Sequence, residues 1–354
     1  MPDISSATAG STPKLSVILP NYNHGRYLPR ALDALLAQSR PADEIIVVDD
    51  ASTDDSRNVI GRYAAQNPSI RTLTNEMNIG VIATLTRGLN AARGRYVYFG
   101  AADDFVMPGF FATGLQALEA NPRAGLVCGE MALVDGDSGQ SLGARPPVRP
   151  RFRAGFIEPL QFASLLRHND NFILTGAALL RRDAVLWAGG FDENLSSFAD
   201  GYLVRKIALT YGLYYSPQTF LTWCIFPGGV SRTTSTDLDR VKAVLGAILT
   251  RMATDPVFPA WYQKAFADRW RFSVCRLAVQ ENPANRSILM EIGSQSQTER
   301  NLFEFALMWL GRRAAGFIIL SWLWLRFRPL SLIGLVSTAL ARCWNVRRSV
   351  TTKQ

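Results

Sequence analysis

The strongest constraint on the fold is an alternation that runs through the first half of the sequence. Short β-branched or apolar runs end in polar loops and are followed by helix-length stretches with apolar residues at helical spacing. Residues 15–19 form the first such run, stop at Pro20 and read as a buried parallel strand. From Tyr27 onward Leu28, Ala31, Leu32, Leu35 and Leu36 share one helical face until Arg40-Pro41. Residues 44–48 are the next strand, and Ser52 to Asp55 has the composition of a helix start. A helix to about Ala65, a strand over 70–73, a helix over 81–92 and a strand over 96–99 follow. Pro108 then opens a helix, and 125–128 is a further strand. With right-handed crossovers this predicts an α/β fold, a mainly parallel sheet with helices on both faces.

Beyond it the pattern changes. Residues 135–153, rich in Gly, Pro and Arg, read as a long loop or β-ribbon. An apolar stretch over 172–180, a helix over 182–188 and a last strand over 219–225 complete the α/β part. From Asp237 the pattern is helical to the end. The predicted organisation is a flexible N-terminus (1–13), an α/β domain (14–235) and a helical region (236–354). The polar N-terminus has no apolar core of a signal peptide, which leads us to expect a cytoplasmic catalytic part.

Open α/β sheets bind ligands at the carboxyl ends of their strands. The unusual residues stand there: Asn21 and Tyr22 after the first strand, Asp49 and Asp50 after the second, Asp103 and Asp104 after the strand over 96–99. Acidic pairs at the ends of apolar strands have no core use. Cys128, Cys224, Cys275 and Cys343 form no C-x-x-C pair and there are only two histidines, so zinc-finger and thioredoxin readings fail. No G-x-G-x-x-G follows the first strand and no G-K-[ST] occurs, which excludes dinucleotide and P-loop sites.

Five motifs in order now carry a resemblance: Val17-Ile18-Leu19-Pro20-Asn21-Tyr22-Asn23, Val47-Val48-Asp49-Asp50-Ala51-Ser52-Thr53-Asp54, Asn78-Ile79-Gly80, Ala92-Arg93-Gly94-Arg95-Tyr96 with Ala102-Asp103-Asp104, and, downstream, Thr175-Gly176-Ala177 with Gly189-Gly190-Phe191-Asp192 and Ala199-Asp200. Over roughly 14–231 the chain resembles the family 2 glycosyltransferases, inverting enzymes of GT-A fold that use nucleotide sugars. The resemblance implies a nucleotide-sugar cradle from Pro20, Tyr22, Asn23, Asp50 and Asp103. Tyr22 would offer the base a flat face, or pack on its neighbours; Asp50 would offer it an acceptor, while Asp49 holds the turn. Asn78 and Arg87 either reach the diphosphate or support their loop.

The resemblance makes Asp104 a metal ligand and sets Asp103 beside the metal or ribose. Carboxylate oxygens facing a diphosphate suit Mg²⁺ or Mn²⁺ and not zinc. Many relatives have Asp-x-Asp-Asp here; Ala101 stands at the first of those positions. Inversion needs one base opposite the leaving diphosphate, and the family's place for it is Asp200, a residue that could equally be a helix N-cap. The Gln-x-x-Arg-Trp signature of processive relatives is missing from the sequence, so one sugar per binding event is expected. These features imply a metal-dependent transferase moving one sugar, with a UDP-sugar favoured as donor, to a hydroxyl of a lipid-linked or surface-glycan acceptor. The alternative is an inactive membrane-associated scaffold of the same fold, which Ala101 keeps open.

Charge is unevenly placed. The net charge is +9, and from Phe305 to Gln354 there are eight Lys/Arg and no Asp or Glu. The uncharged runs 314–325, with Trp322 and Trp324, and 329–341 are each too short for an ordinary membrane span. A basic, Trp-containing apolar tail (about 305–348) suits an anionic membrane surface, arginines at lipid phosphate, better than nucleic acid, which wants its cations on a polar face. The expected location is peripheral, on the inner face of the cell membrane. A re-entrant hairpin, and helices packing on the catalytic domain or on a partner chain, are the two other readings.

Overall fold

The structure is a computed structural model that describes residues 14–226, 237–281 and 286–351. The expected flexible segment 1–13 and the domain boundary at 235 lie outside the described residues. The described chain divides into two compact units: 14–164 with 171–226, and 165–170 with the described residues from 237 onward.

The first unit runs β1 (Leu15–Asn21), α1 (Leu28–Leu36), β2 (Glu44–Asp49), α2 (Ser56–Gln66), β3 (Ile70–Thr74), α3 (Val81–Ala91), β4 (Tyr96–Phe99), β5 (Phe105–Val106) and α4 (Phe110–Ala120). It continues with β6 (Leu126–Asp135), β7 (Ser141–Arg145), β8 (Gly155–Ile157), α5 (Pro159–Leu165), β9 (Ala178–Arg181), α6 (Arg182–Trp187), α7 (Ala199–Tyr211) and β10 (Leu213–Ile225). The strand order is β3-β2-β1-β4-β9-β6-β10-β5, with β7 on β6 and β8 on β10.

Period-two alternation explains how both faces are covered. Leu15, Val17 and Leu19 of β1 join Leu28, Leu32 and Leu35 of α1, Val59 of α2 and Phe111 of α4 in one buried cluster. Ile18 and Val48 point the other way, against α3. There a Cβ on Gly88 would lie 2.4 Å from Ile18 Cγ2, so the helix can approach only because residue 88 has no side chain. At the opposite end of the strands Glu44 is buried and accepts from Ser16 Oγ (2.6 Å), Arg93 N (2.7 Å) and Arg71 (2.7 Å), tying β1, β2 and the turn before β4.

The sheet is parallel from β3 through β4, as the alternation predicts, and mixed beyond it: β9 lies antiparallel between β4 and β6, while β6 and β10 are parallel to each other. Two strands are longer than their apolar runs. β6 continues past 128 through Gly129, where a Cβ would sit 2.3 Å from Phe220, and Glu130, whose buried carboxylate meets Arg149 (2.5 Å) and the Tyr215 hydroxyl (2.9 Å). β10 starts at 213 and not at 219. The stretch expected as loop or ribbon does contain a ribbon, β7 on β6.

The second unit is helical among its described residues: α8 (Leu238–Thr254), α9 (Ala260–Glu281), a helical turn running through Leu289–Gly293, α10 (Gln297–Trp309), α11 (Gly311–Phe327) and α12 (Leu332–Thr351). Ala315, Ile319, Leu323 and Phe327 form one stripe of α11, buried with Val274, Cys275, Ala278 and Phe303. Its other side, with Phe317 and Leu325, is exposed. The arginine expected at lipid phosphate from the end of α11 divides into two cases. Arg326 is spent inside the unit on Glu299 and Gln295, and the Trp322 indole N–H also donates to Glu299 (3.1 Å). Arg328 caps α11 and, among the described residues, makes no such pair.

Candidate active site

Parallel pairing sets the ends of β2, β1 and β4 side by side: Asn21 is level with Asp49, and Gly100 N donates to Ile18 O (2.9 Å). The loops that follow them therefore share one sheet edge. Asn21 Nδ2 donates to Asp49 (2.9 Å) and Ser52 Oγ (3.1 Å). Asp49 also accepts from Ser52 N (3.1 Å) and Arg57 (3.1 Å), so it holds the turn. Asn23, at φ 55°, accepts from Thr53 N (2.7 Å) and donates its own N–H to Ser52 Oγ (2.9 Å), while Gly25 N donates to Asp54 (2.9 Å). Pro20 lies within β1 opposite Val48, and Tyr22 stands out from this double loop, 43% exposed, with its ring open to a flat ligand.

Asp50 is turned inward. Its Oδ1 accepts from Asn75 Nδ2 (2.7 Å) and Ile79 N (2.9 Å) and its Oδ2 from Gly80 N (2.9 Å), so the carboxylate closes the 75–80 loop and keeps about one acceptor position for anything else. Asn78 accepts from Gly80 N (3.0 Å), and Arg87 donates to Thr74 O (2.9 Å) and to Asn75 Oδ1. Of the two readings open for Asn78 and Arg87, these bonds describe support of the loop.

Asp103 and Asp104 follow β4. Asp104 Oδ1 accepts from Cys224 N on β10 (2.8 Å); burial, with the adjacent Asp103 charge, pushes its carboxyl well above the usual range. Burial and Asp104 likewise push the Cys224 thiol up to about 11, against the pull of Arg30. A divalent cation fits this pair, since it would relieve a repulsion already present between two carboxylates. Among the described residues no third His, Cys, Asp or Glu joins them, the sparse protein shell that Mg²⁺ and Mn²⁺ complete with water and substrate phosphates.

Asp200 reaches the same edge from the far side of the sheet. β9 runs antiparallel to β4, so the turn Thr175–Ala177 that precedes it lies at the carboxyl end of β4, where the Tyr98 hydroxyl donates to Gly176 O (3.0 Å). Thr175 hydrogen-bonds to Asp200. Asp200 is not the N-cap of α7; Phe198 holds that position, and Asp200 sits in the first turn with its carboxylate 2.6 Å from Gly201 N. The reason is the preceding turn, where Ser196 at φ 47° lets the chain enter the helix earlier than a capping aspartate would require. Burial raises the Asp200 carboxyl, and the Gly201 N–H, Thr175 and Arg205 pull it partly back.

One residue escaped the sequence reading. The Arg30 guanidinium of α1 stacks 3.6 Å from the Phe105 ring centroid, directly after the acidic pair. Arg30 belongs to the exposed face of an amphipathic helix, and no local pattern couples it to a residue 75 positions away.

A parallel half-sheet with helices on both faces, interlocked loops after its first two strands and an acidic pair after the fourth is the GT-A class of fold. Solved structures agree: TarS 1–349 of S. aureus in complex with UDP-GlcNAc superposes with a TM-score of 0.57 at 16% identity, covering 83% of this chain and 80% of that one. The mannosyltransferase PcManGT of Pyrobaculum calidifontis, solved with GDP-Man and Mn²⁺, gives 0.55 at 19%, covering 96% and 89%. Residues 16–186 match the family model "Glycosyl transferase family 2", and this part of the chain belongs to that family. An uncharacterized glycosyltransferase, YibD of Escherichia coli K12, is 41% identical over 103 residues, 29% of this chain. The matches span between 30% and 47% of the length of the first curated relatives.

Proposed function

We propose that the chain is a metal-dependent, inverting glycosyltransferase that moves one sugar from a nucleoside diphosphate donor, a UDP-sugar first, to a hydroxyl of a lipid-linked or surface-glycan acceptor. The observation that carries this reading is the convergence on one sheet edge of Tyr22, the Asp103-Asp104 pair and, through Thr175, Asp200. In this reading Tyr22 stacks on the base and Asp50 contributes its remaining acceptor position. Asp104 and Asp103 would hold Mn²⁺ or Mg²⁺, which when bound neutralises charge on the departing diphosphate. Asp200 takes the proton of the acceptor hydroxyl as its oxygen bonds to the anomeric carbon and the bond from that carbon to the diphosphate breaks. A carboxyl raised by burial is the stronger base for that step, and Thr175 and Gly201 N–H fix its orientation.

The second unit supports a peripheral place on an anionic membrane at the cytoplasmic side. Phe317, Leu325, Ile333, Val336 and Leu340 of α11 and α12 are exposed, in a part of the chain with no acidic residue. No single helix among the described residues is long and apolar enough to cross a membrane; α11 and α12 pass that test only as a pair bent by 109°.

Titration calorimetry with UDP and GDP, with and without Mn²⁺, tests the donor site. One nucleotide should bind to wild type, and both metal removal and Asp104→Asn should weaken it at least tenfold. Binding indifferent to metal and to Asp104 would remove the proposed site.

A further inference from the structure

The second unit contains a cavity of about 340 Å³, within the size range of small-ligand sites, lined by Arg167, Trp261, Lys264, Asp268, Arg269 and Arg328 together with Ala265 and Phe327. Its wall is built rather than accidental. Arg269 is almost fully buried and spends its donors on Leu166 O (2.7 Å), Arg167 O (2.8 Å) and Asp170 (3.1 Å), while Asp170 is also held by the Tyr262 hydroxyl (3.1 Å). That bracket fixes the backbone of Arg167, whose guanidinium lies over the Trp261 ring at 4.2 Å. Lys264 is paired with Asp268 (2.7 Å). Among the described residues neither Arg167 nor Arg328 has a carboxylate partner, so the cavity presents two uncompensated guanidinium groups, the side chain best matched to phosphate oxygens.

Its position decides which phosphate. Arg328 ends α11 at φ 42°, at the 109° corner before α12. Leu325 on one side of that corner and Leu332 and Ile333 on the other are exposed, Ile333 to 83%. A cavity walled by cations that ends at the Arg328 corner, with exposed apolar residues within five positions of Arg328 along the chain, complements a molecule that is anionic at one end and hydrocarbon at the other. We propose that this cavity binds the phosphate headgroup of an anionic lipid, with the lipid chains against the exposed residues of α11 and α12. The proposal rests on the membrane reading above and adds a headgroup preference that general surface charge does not give.

The test is vesicle flotation of the full chain with phosphatidylcholine vesicles carrying either phosphatidate or phosphatidylglycerol at matched surface charge. Wild type should favour phosphatidate, whose phosphate is a terminal monoester, by about tenfold. Arg167→Gln and Arg328→Gly should each bring that ratio close to one. The second variant keeps the fold, since glycine suits the left-handed backbone at 328. Arg313→Gln, which removes an exposed charge of α11 away from the cavity, should weaken both vesicles alike and leave the ratio intact. Wild-type binding without a phosphatidate preference overturns the headgroup site and leaves membrane association standing. No binding to any vesicle by folded protein overturns both. If inorganic pyrophosphate raises the Tm of wild type but not of Arg328→Gly while vesicles fail to bind, the cavity takes a soluble anion and the lipid proposal is wrong.

Discussion

Asp50 shows how far a single residue can depart from its motif. Its place after an apolar strand makes it a candidate binding residue, yet three of its acceptor positions close a loop of its own chain. Asp50→Asn turns one of the two oxygens into a donor, which must then face either the Gly80 N–H or the Ile79 N–H and Asn75 Nδ2. We expect a loss of about 1–3 kcal/mol in stability from urea unfolding, together with weaker nucleotide binding as the 75–80 loop opens. Asp200→Asn should behave otherwise: transfer falls by at least about a hundredfold while calorimetric nucleotide affinity stays near wild type. Survival of transfer in that variant would reject Asp200 as the base. The position of the acidic pairs at the sheet edge was legible because the apolar runs of their strands stop at them. The inward turn of Asp50 and the stacking of Arg30 on Phe105 were not, since both depend on partners brought in by tertiary structure.

At the scale of elements, the apolar runs located most strands but not their full length. β6 outlasts its run because Glu130 is neutralised by Arg149, 19 residues on, and Gly129 is required by Phe220 of β10; neither partner can be inferred from the strand itself. The antiparallel insertion of β9 is equally invisible locally, as strand direction follows from the path of the connections. The start of β2 carries a pH dependence. Burial alone would raise the Glu44 carboxyl, but the Ser16 hydroxyl, the Arg93 N–H and Arg71 outweigh it and hold the group below its ordinary value. A depressed folded pKa contributes stability that is present above the unfolded value and lost as pH falls through the folded one. Urea midpoints of wild type should therefore drop as pH falls below about 4.5, and Glu44→Gln, less stable at neutral pH, should show a flatter acid limb. On α3, Gly88→Ala forces a methyl into Ile18; a net loss of about 1–2 kcal/mol is expected even though alanine is the better helix former.

The whole molecule joins a unit of nearly balanced charge to a helical unit whose last fifty residues are basic and carry apolar side chains into solvent. Replacing Phe317 and Ile333 together by Glu should lower partition onto phosphatidylglycerol vesicles by more than about a hundredfold, with no change in nucleotide titrations. Equal partition of variant and wild type would remove these helices as the attachment surface. The bonds between Asn21, Asn23 and Gly25 on one loop and Asp49, Ser52, Thr53 and Asp54 on the next have a thermodynamic corollary. They freeze the loop edge during folding, so the conformational entropy of that edge is already lost when a donor arrives. Cutting one stitch that is no part of the predicted cradle, as in Thr53→Pro, which removes the N–H donated to Asn23, should leave every donor contact possible and still slow association, because the edge must then be ordered anew at each encounter.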